Sequence, residues 1–150
     1  MNAGFLEEAL KEAAKARDLG EVPVGAVVVR GSEILARAHN LRERDRDPTA
    51  HAEILALRCA ANEIGAWRLS GCTLYVTLEP CPMCLAAAGL ARVDRVVYGA
   101  SDPKGGAVSL GFGLHADQRL NHRFEVVHEA VASCGQILTD FFRGRRATER

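Results

Sequence analysis

The sequence predicts an α/β protein in which a central sheet lies between two layers of helices. Two observations indicate this fold. Segments in which apolar residues recur at helical spacing alternate along the chain with short runs rich in β-branched residues. The chain also has 150 residues, of which 48% are hydrophobic and 25% charged, and this suits one globular domain spanning residues 1–150.

Apolar periodicity and turn residues give the order of the elements. A helix from Met1 is expected to end at Gly20, because glycine readily adopts the conformation that closes a helix. Asp47 and Pro48 predict a helix over 48–63, since Asp is a good N-cap and Pro suits the first helical position. Two further helices are predicted over 82–89 and 130–143, the last one ending before Gly144. Strands are predicted over 22–29, 34–38, 73–78, 93–98 and 124–128, and loops over 42–47 and 102–113.

Charge balance and cysteine usage limit the partners and the compartment. Nineteen basic residues balance nineteen acidic ones, which argues against a dedicated DNA-binding protein but allows a local basic patch. No stretch approaches the roughly 18 apolar residues of a membrane helix, and the first residues lack the pattern of a secretory signal. Five cysteines, an odd number, then predict reduced thiols in a cytoplasmic protein that does not bind membranes.

Two short motifs carry the chemistry, and both lie at predicted helix starts. They are His51-Ala52-Glu53 and Pro80-Cys81-Pro82-Met83-Cys84. Side chains two residues apart diverge within a helix, but at its N-terminus they can reach one ligand beyond the end of the axis. Cys81 and Cys84 lie on the same side of their first turn, where the helix dipole favours the thiolate. The two half-sites can therefore meet at one edge of the sheet.

One imidazole and two thiolates, from His51, Cys81 and Cys84, form a donor set that suits Zn²⁺. Three protein ligands leave a fourth position for water, whose pKa zinc lowers toward about 7, and Glu53 is the natural group to move its proton. Each motif alone also occurs by chance, and a closed structural site would need a fourth ligand. Cys59 and Cys72 are available thiols, but we expect both, like Cys134, to be small buried hydrophobic residues.

Longer stretches then match one family. His51-x-Glu53 with Pro80-Cys81-x-x-Cys84 is the known signature of the zinc deaminases. With further matching stretches, the sequence from Phe5 to Arg146 resembles the bacterial tRNA-specific adenosine deaminases of the cytidine deaminase superfamily. The matching stretches are 21–26, Asn40, 47–53, 75–81, 121–123 and 140–143.

This resemblance implies a three-layer α/β/α fold with a five-stranded mixed sheet, as in cytidine deaminases. It implies a homodimer with one Zn²⁺ per subunit. The implied reaction converts adenosine to inosine at the wobble position of a tRNA anticodon, with an arginine tRNA as the expected substrate.

The resemblance also implies roles for single residues. His51, Cys81 and Cys84 would hold zinc, while Glu53 carries a proton from the attacking water to N1 of adenine. The N–H of Ala52 would bind the new oxygen and the Asn40 side chain the purine edge, unless Asn40 is merely a turn residue. The anticodon stem-loop would contact Asp102, Lys104, Asn121, His122, Arg123, Phe142, Arg143, Arg145 and Arg146.

The end of the last helix has a composition of its own that suits single-stranded RNA. Aromatic rings and arginines occur together there, with Phe141 beside Phe142 and Arg150 beyond Arg146. A core position explains Phe141 equally well.

Two other functions stay open at this point. The Pro-Cys-Pro-Met-Cys run is also typical of free guanine deaminases, so an enzyme acting on a free nucleobase, guanine or cytosine, is the alternative activity. Such an enzyme has no need for the arginine cluster or for the Asn121-His122-Arg123 stretch. A zinc-binding module without activity is the alternative outside enzymes, and the acid Glu53 beside an open metal position argues against it.

Overall fold

The computed structural model describes residues 3–149, with the side chains of residues 4–146. This part of the chain forms α1 (Ala3–Asp18), β1 (Gly25–Arg30), β2 (Glu33–His39), α2 (Arg42–Asp45), α3 (Ala52–Ile64), β3 (Cys72–Leu78), α4 (Pro82–Leu90), β4 (Arg95–Ala100), β5 (Glu125–His128) and α5 (Ala132–Glu149). Met1, the predicted start of the first helix, and Arg150, of the predicted basic cluster, lie outside the described residues. None of the described helices combines the length and the apolar character needed to cross a membrane.

The five strands form one mixed sheet in the order β2-β1-β3-β4-β5. β1 is antiparallel to both β2 and β3, whereas β4 runs parallel to β3 and to β5. Helices α1 and α5 contact each other on one face of the sheet, and α3 contacts α4 on the other. Buried apolar side chains fill both interfaces. The predicted three-layer α/β/α architecture with a five-stranded mixed sheet is confirmed.

This strand order brings several loops to one end of the sheet. Because β1 is antiparallel to its neighbours, its first residues lie beside the last residues of β2 and β3, and the parallel β4 ends there too. The ladder continues beyond the strands, since the N–H of Asn40 donates to the carbonyl of Val24 (3.2 Å) and the N–H of Glu79 to that of Ala100 (2.8 Å). The motif residues that follow β2 and β3 are therefore held by the sheet itself.

Helix α1 packs closely on the start of β1. A Cβ at Gly25 would overlap the backbone of α1 at Ala9 and Ala13, so the contact requires glycine. A buried carboxylate ties the same helix to β2: Glu12 lies 2.7 Å from Lys15 Nζ and 3.0 Å from His39 Nδ1. Burial opposes the charge of Glu12, but these hydrogen bonds outweigh it and lower its pKa.

The predicted start of the second long helix is wrong by four residues. Asp47 Oδ1 accepts hydrogen bonds from the N–H (2.8 Å) and the hydroxyl (2.7 Å) of Thr49, so Asp47 closes a local turn instead of capping a helix. α3 begins at Ala52, with His51 as its N-cap and Gly65 as its C-cap. The later start makes His51 the N-cap of α3, so its ring lies at the end of the helix and can face another element.

Other expectations need smaller corrections. The 42–47 stretch contains the short helix α2, and α5 continues through Gly144 because a glycine within a helix weakens it without stopping it. Cys59 is exposed on α3, contrary to the prediction of a buried residue, whereas Cys72 and Cys134 are buried as predicted. All five cysteines are free thiols. Strand limits differ from the predicted ones by at most three residues, and the predicted ends of β3 and β5 are confirmed.

Candidate active site

The side chains of His51, Cys81 and Cys84 converge beside the end of β3. His51 and Cys81 are the N-caps of α3 and α4, and Cys84 lies in the first turn of α4. His51 Nδ1 is 3.7 Å from Cys81 Sγ and 3.4 Å from Cys84 Sγ, and the three donor atoms lie within 4.8 Å of one another. Among the described residues this group has three members, and neither Cys59 nor Cys72 joins it. One nitrogen and two sulfur donors so placed fit Zn²⁺ with a fourth position left open.

Electrostatics at the group favour the thiolate at Cys81, one of its three members. A hydrogen bond from the Cys84 thiol lowers the pKa of Cys81 to about 4, against the opposing effect of burial. The same sharing of a proton raises the pKa of Cys84, which is fully buried. The hydrogen bond with Cys81 raises the pKa of His51. A bound cation would favour the thiolate at both cysteines, because a coordinated thiol loses its proton.

Glu53 lines the same cavity as His51 and Cys81. Its side chain is 4% exposed, and burial raises its pKa to about 7. The cavity has a volume of about 180 Å³, and its polar lining residues are Asn40, Arg42, His51, Glu53, Glu79, Cys81 and Asp102. A carboxyl group with a pKa near neutrality can both accept and return a proton, which is what acid–base chemistry at this site would need.

Asn40 contacts Ala52, and this contact links the two predicted substrate-binding groups. The N–H of Ala52 donates to Asn40 Oδ1 at 2.8 Å, and both residues are buried. The first N–H groups of a helix lack partners within it, so Asn40 supplies the acceptor that α3 needs. The Ala52 amide is thus already engaged, and the Asn40 amide nitrogen is the donor that this pair can offer. The roles of both residues toward a substrate stay predictions.

One of the predicted RNA-binding residues of α5, Arg145, lies near this cavity. A second cavity of about 180 Å³ is lined by Asn40 and Arg42, which also line the first, and by Arg145.

Phe142 is 40% exposed, and its ring packs edge-on against Phe141. The guanidinium carbon of Arg145 lies 5.7 Å from the centre of the Phe141 ring. Arg146 is exposed, and Arg143 is also exposed and lies 3.9 Å from Asp140. Asp102 lines the first cavity, and Lys104 is exposed on the same loop.

The Asn121-His122-Arg123 stretch lies elsewhere on the described chain. Asn121 and His122 line a separate, mostly apolar cavity of about 250 Å³. His122 Nε2 lies 2.7 Å from the carbonyl of Val93, and its ring stacks on Phe124. Arg123 donates to the carbonyl of Leu120 at 3.0 Å. Within one chain, none of the three lines the cavity of Glu53, and His122 and Arg123 are engaged in the contacts just described.

Two buried carboxylates near the site were not predicted. Glu21 is 2% exposed and accepts the N–H groups of Glu43 (3.1 Å) and Arg44 (2.8 Å), at the start of α2. Glu79, also 2% exposed, holds the loop after β4. The available signal was an acid directly beside an apolar strand, in Glu21-Val-Pro-Val and Leu78-Glu79-Pro80, where burial demands hydrogen-bond partners.

Comparison with known proteins relates this arrangement to deaminases. The model of the MafB19-like deaminase family matches residues 3–146. The chain is 51% identical to the tRNA-specific adenosine deaminase of Bacillus subtilis over 147 residues, which are 97% of this chain and 91% of that protein. The protein of the same name from Aquifex aeolicus is 44% identical over 142 residues, 95% of this chain and 94% of that protein.

Solved structures give the same picture. A structure from work on A-to-I editing by tRNA:A34 deaminases at the wobble position of transfer RNA has a TM-score of 0.85 and 44% identity, covering 91% of this chain and 99% of that one. A guanine deaminase from Bacillus subtilis has a TM-score of 0.66 and 33% identity, covering 97% of this chain and 94% of that one.

Proposed function

Since this chain belongs to the MafB19-like deaminase family, among the tRNA-specific adenosine deaminases, we propose that it converts adenosine to inosine at the wobble position of a tRNA anticodon. An arginine tRNA is the expected substrate. The observation that carries the proposal is the convergence of three zinc-type donors, two of which, His51 and Cys81, line the cavity that contains the buried carboxylate of Glu53. The reaction consumes one water molecule and releases one ammonia for each adenine converted.

His51, Cys81 and Cys84 would hold one Zn²⁺ per subunit. Bound there, zinc would supply an acidified water as the nucleophile for C6 of adenine. Glu53 takes a proton from the attacking water and delivers it to N1 of the ring. The burial that raises its pKa to about 7 lets one carboxyl group do both at neutral pH.

Asn40 and Ala52 would orient the base. With its oxygen held by the N–H of Ala52 (2.8 Å), the Asn40 carboxamide presents its NH₂ group as a donor to an acceptor on the purine edge. The same hydrogen bond fixes the carboxamide, so little freedom is lost when the base binds. The resemblance assigns the new oxygen to the Ala52 N–H, and this would require the contact with Asn40 to lengthen.

Arginines gathered near the cavity would bind the anticodon stem-loop. A chain without net charge must collect its positive charge locally to bind phosphates. Arg42 and Arg145 line the cavity next to that of Glu53, and Arg143 and Arg146 lie on the same helix as Arg145. The exposed ring of Phe142 offers a surface on which an unpaired base can stack. Lys104, Asn121, His122 and Arg123 remain weaker candidates for contacts with the stem-loop.

An exposed apolar face supports the proposal of a homodimer. Leu90 is 70% exposed and Trp67 60%, and with Ile54 and Ala61 they line a groove between α3 and α4. Exposed apolar patches of this kind mark protein interfaces. Light scattering on the purified protein tests the dimer, and a monomer at micromolar concentration would contradict it.

The compartment proposed is the cytoplasm. All five cysteines are free, including the buried Cys72 and Cys134. Unpaired thiols are the usual state in the reducing cytoplasm.

Sequencing of treated tRNA tests the proposed reaction. The zinc-loaded protein should convert the wobble adenosine of an arginine tRNA to inosine and release ammonia, with none released from guanine or cytosine. Glu53→Gln, which keeps the size of the side chain but cannot carry a proton, should retain about one zinc per chain and lose at least about 100-fold in turnover, the usual range for acid–base catalysis. Ammonia released from guanine and not from the tRNA would instead favour a deaminase of free nucleobases. The similarity to the Bacillus subtilis guanine deaminase is the observation that keeps this alternative in view.

A further inference from the structure

Glu79 is a buried carboxylate whose role the chemistry above does not use. It follows β3 directly, is 2% exposed, and lines the cavity together with His51 and Glu53. No ion pair within residues 4–146 includes it. A charge taken out of water without a cation needs several hydrogen bonds to be tolerated.

All the side-chain hydrogen bonds of Glu79 come from one loop. The N–H of Asp102 donates to Oε1 at 3.0 Å, the N–H of Ser109 donates to Oε2 at 2.8 Å, and the Ser109 hydroxyl donates to Oε1 at 2.6 Å. A Cβ at Gly106 would overlap the Glu79 carboxylate, so the loop is wrapped closely around it. A single acid thus holds both ends of the stretch 102–109, which we call the cavity loop.

The cavity loop reaches the proposed active site through Asp102. The Asp102 carboxylate accepts the N–H groups of Lys104 (3.2 Å) and Gly105 (3.1 Å), which forms a turn, and Asp102 also lines the cavity that contains Glu53. Among the described residues, the other hydrogen bond between the cavity loop and the Glu79-Pro80-Cys81 segment runs from the backbone N–H of Ala107 to the carbonyl of Pro80 (2.8 Å). The position of Asp102 therefore depends mainly on Glu79.

We propose that Glu79 is a positioning residue that fixes the cavity loop and, through it, holds Asp102 at the wall of the cavity where the RNA substrate binds. This inference rests on the proposed function for its substrate, but its structural half can be tested without any substrate. Because the Glu79 carboxylate is already engaged by the cavity loop, its effect should appear in substrate binding more than in the chemical step.

Glu79→Gln is the informative variant because an amide cannot accept every bond that the carboxylate accepts. One terminal atom becomes a donor and then faces either the N–H of Asp102 or that of Ser109, so at least one hydrogen bond is lost. Ser109→Ala removes only the hydroxyl bond and is a milder version. Ser101→Ala is the matched control, since Ser101 is exposed next to the same loop and no hydrogen bond from its side chain is present among the described residues.

Hydrogen exchange measured on the zinc-loaded protein tests the structural half. In Glu79→Gln, the amides of Asp102 and Ser109 should exchange faster by about tenfold, the effect of one lost hydrogen bond to a charged group, and in Ser101→Ala they should be unchanged. Unchanged exchange in Glu79→Gln overturns the proposal whether or not the protein deaminates tRNA. If Glu79→Gln does not fold, Ser109→Ala must still show faster exchange at Asp102, and its absence overturns the proposal.

Kinetics on the anticodon stem-loop test the functional half. KM should rise by about tenfold in Glu79→Gln, while kcat and the zinc content stay within about twofold of the parent, as expected for a lost binding contact. Adding Glu79→Gln to Asp102→Ala should change kcat/KM by less than about threefold if both act through one contact. A fall in kcat and zinc content at constant KM, or fully additive effects, would instead mean a general structural role. A parent protein that is inactive on tRNA with the expected exchange pattern refutes the proposed function alone.

Discussion

Replacing Asn40 separates its structural role from its predicted role toward the substrate. In Asn40→Ala the N–H of Ala52 keeps its buried position and loses its acceptor, because the lost hydrogen bond (2.8 Å) joins two residues with exposures of 7% and 0%. A buried donor without a partner costs about 1–3 kcal/mol in the free energy of unfolding. For a chain of this length, each kcal/mol lowers Tm by about 2–4 °C.

Asn40→Asp restores an acceptor for the N–H of Ala52 but lacks the NH₂ group that Asn40 can donate. A carboxylate oxygen can take the Ala52 N–H, and its negative charge at the N-terminus of α3 is favoured by the helix dipole. We expect Asn40→Asp to recover at least about half of the stability lost in Asn40→Ala, since a charged acceptor at a helix start contributes favourably. It should recover none of the deamination rate, because it presents no NH₂ group to the purine.

Thermal unfolding and initial deamination rates, measured on the same zinc-loaded preparations, decide the matter. Stability and activity should both fall in Asn40→Ala, whereas in Asn40→Asp stability should recover and activity should not. An Asn40→Ala protein as stable as the parent would show that the Ala52 N–H finds another partner. An active Asn40→Asp protein would show that the Asn40 NH₂ group is not what binds the base.

Three further predictions concern the metal, the packing of α1 and the response to acid. Cys84→Ala should abolish zinc binding by elemental analysis, whereas Cys59→Ala, at an exposed thiol of α3, should retain the parent's zinc. Gly25→Ala should lower the free energy of unfolding by about 1–3 kcal/mol through overpacking, while Gly4→Ala, in open space on α1, should raise it by at most about 1 kcal/mol. Because the pKa of Glu12 is lowered in the folded state, its stabilising effect is present above its ordinary pKa of 4.5 and disappears as pH falls through the lower folded value. Chemical denaturation should therefore show Glu12→Gln less stable than the parent by about 1–3 kcal/mol at pH 7, with the difference shrinking below pH 4.5.

The metal ligands could be predicted from sequence because each half-site is local. Cys81 and Cys84 are one helical turn apart, and His51 and Glu53 flank one helix start. Local spacing fixes the geometry within each half-site, and residue chemistry indicates that the halves belong together. Their meeting depends on the sheet order, β2-β1-β3-β4-β5, which the alternation of strands and helices along the sequence does not determine.

The start of α3 illustrates a limit of local signals. Asp47 and Pro48 have the composition of a helix start, but the same Asp side chain can close a turn on Thr49, and in this fold it does. The two outcomes use the same carboxylate oxygen and differ only in what the chain must do next. In this fold His51 lies close to Cys81. A helix beginning at Pro48 would instead have placed His51 within the first turn of that helix.

Glu79 and the cavity loop could not be predicted because their contacts are distant in sequence. Asp102 is 23 residues from Glu79 and Ser109 is 30 residues away, and nothing in the composition of either segment indicates the pairing. The sequence indicates a loop rich in glycine, and Gly106 is needed where that loop touches a carboxylate. The exposure of Cys59 depends on which face of α3 packs on the sheet, and the presence of one thiol does not indicate that face.

The position of the site follows from how the sheet ends. Backbone hydrogen bonds at Asn40 and Glu79 continue the ladder past β2 and β3, so these residues are held as rigidly as strand residues although they lie in connections. His51 and Cys81 cap helices whose buried faces pack on the same sheet. The donor atoms are therefore brought within 4.8 Å of one another by the packing of the fold. A group preorganised in this way loses little conformational entropy on binding a ligand, which allows a small cavity to combine a metal-type donor set, a proton carrier and a base-binding amide.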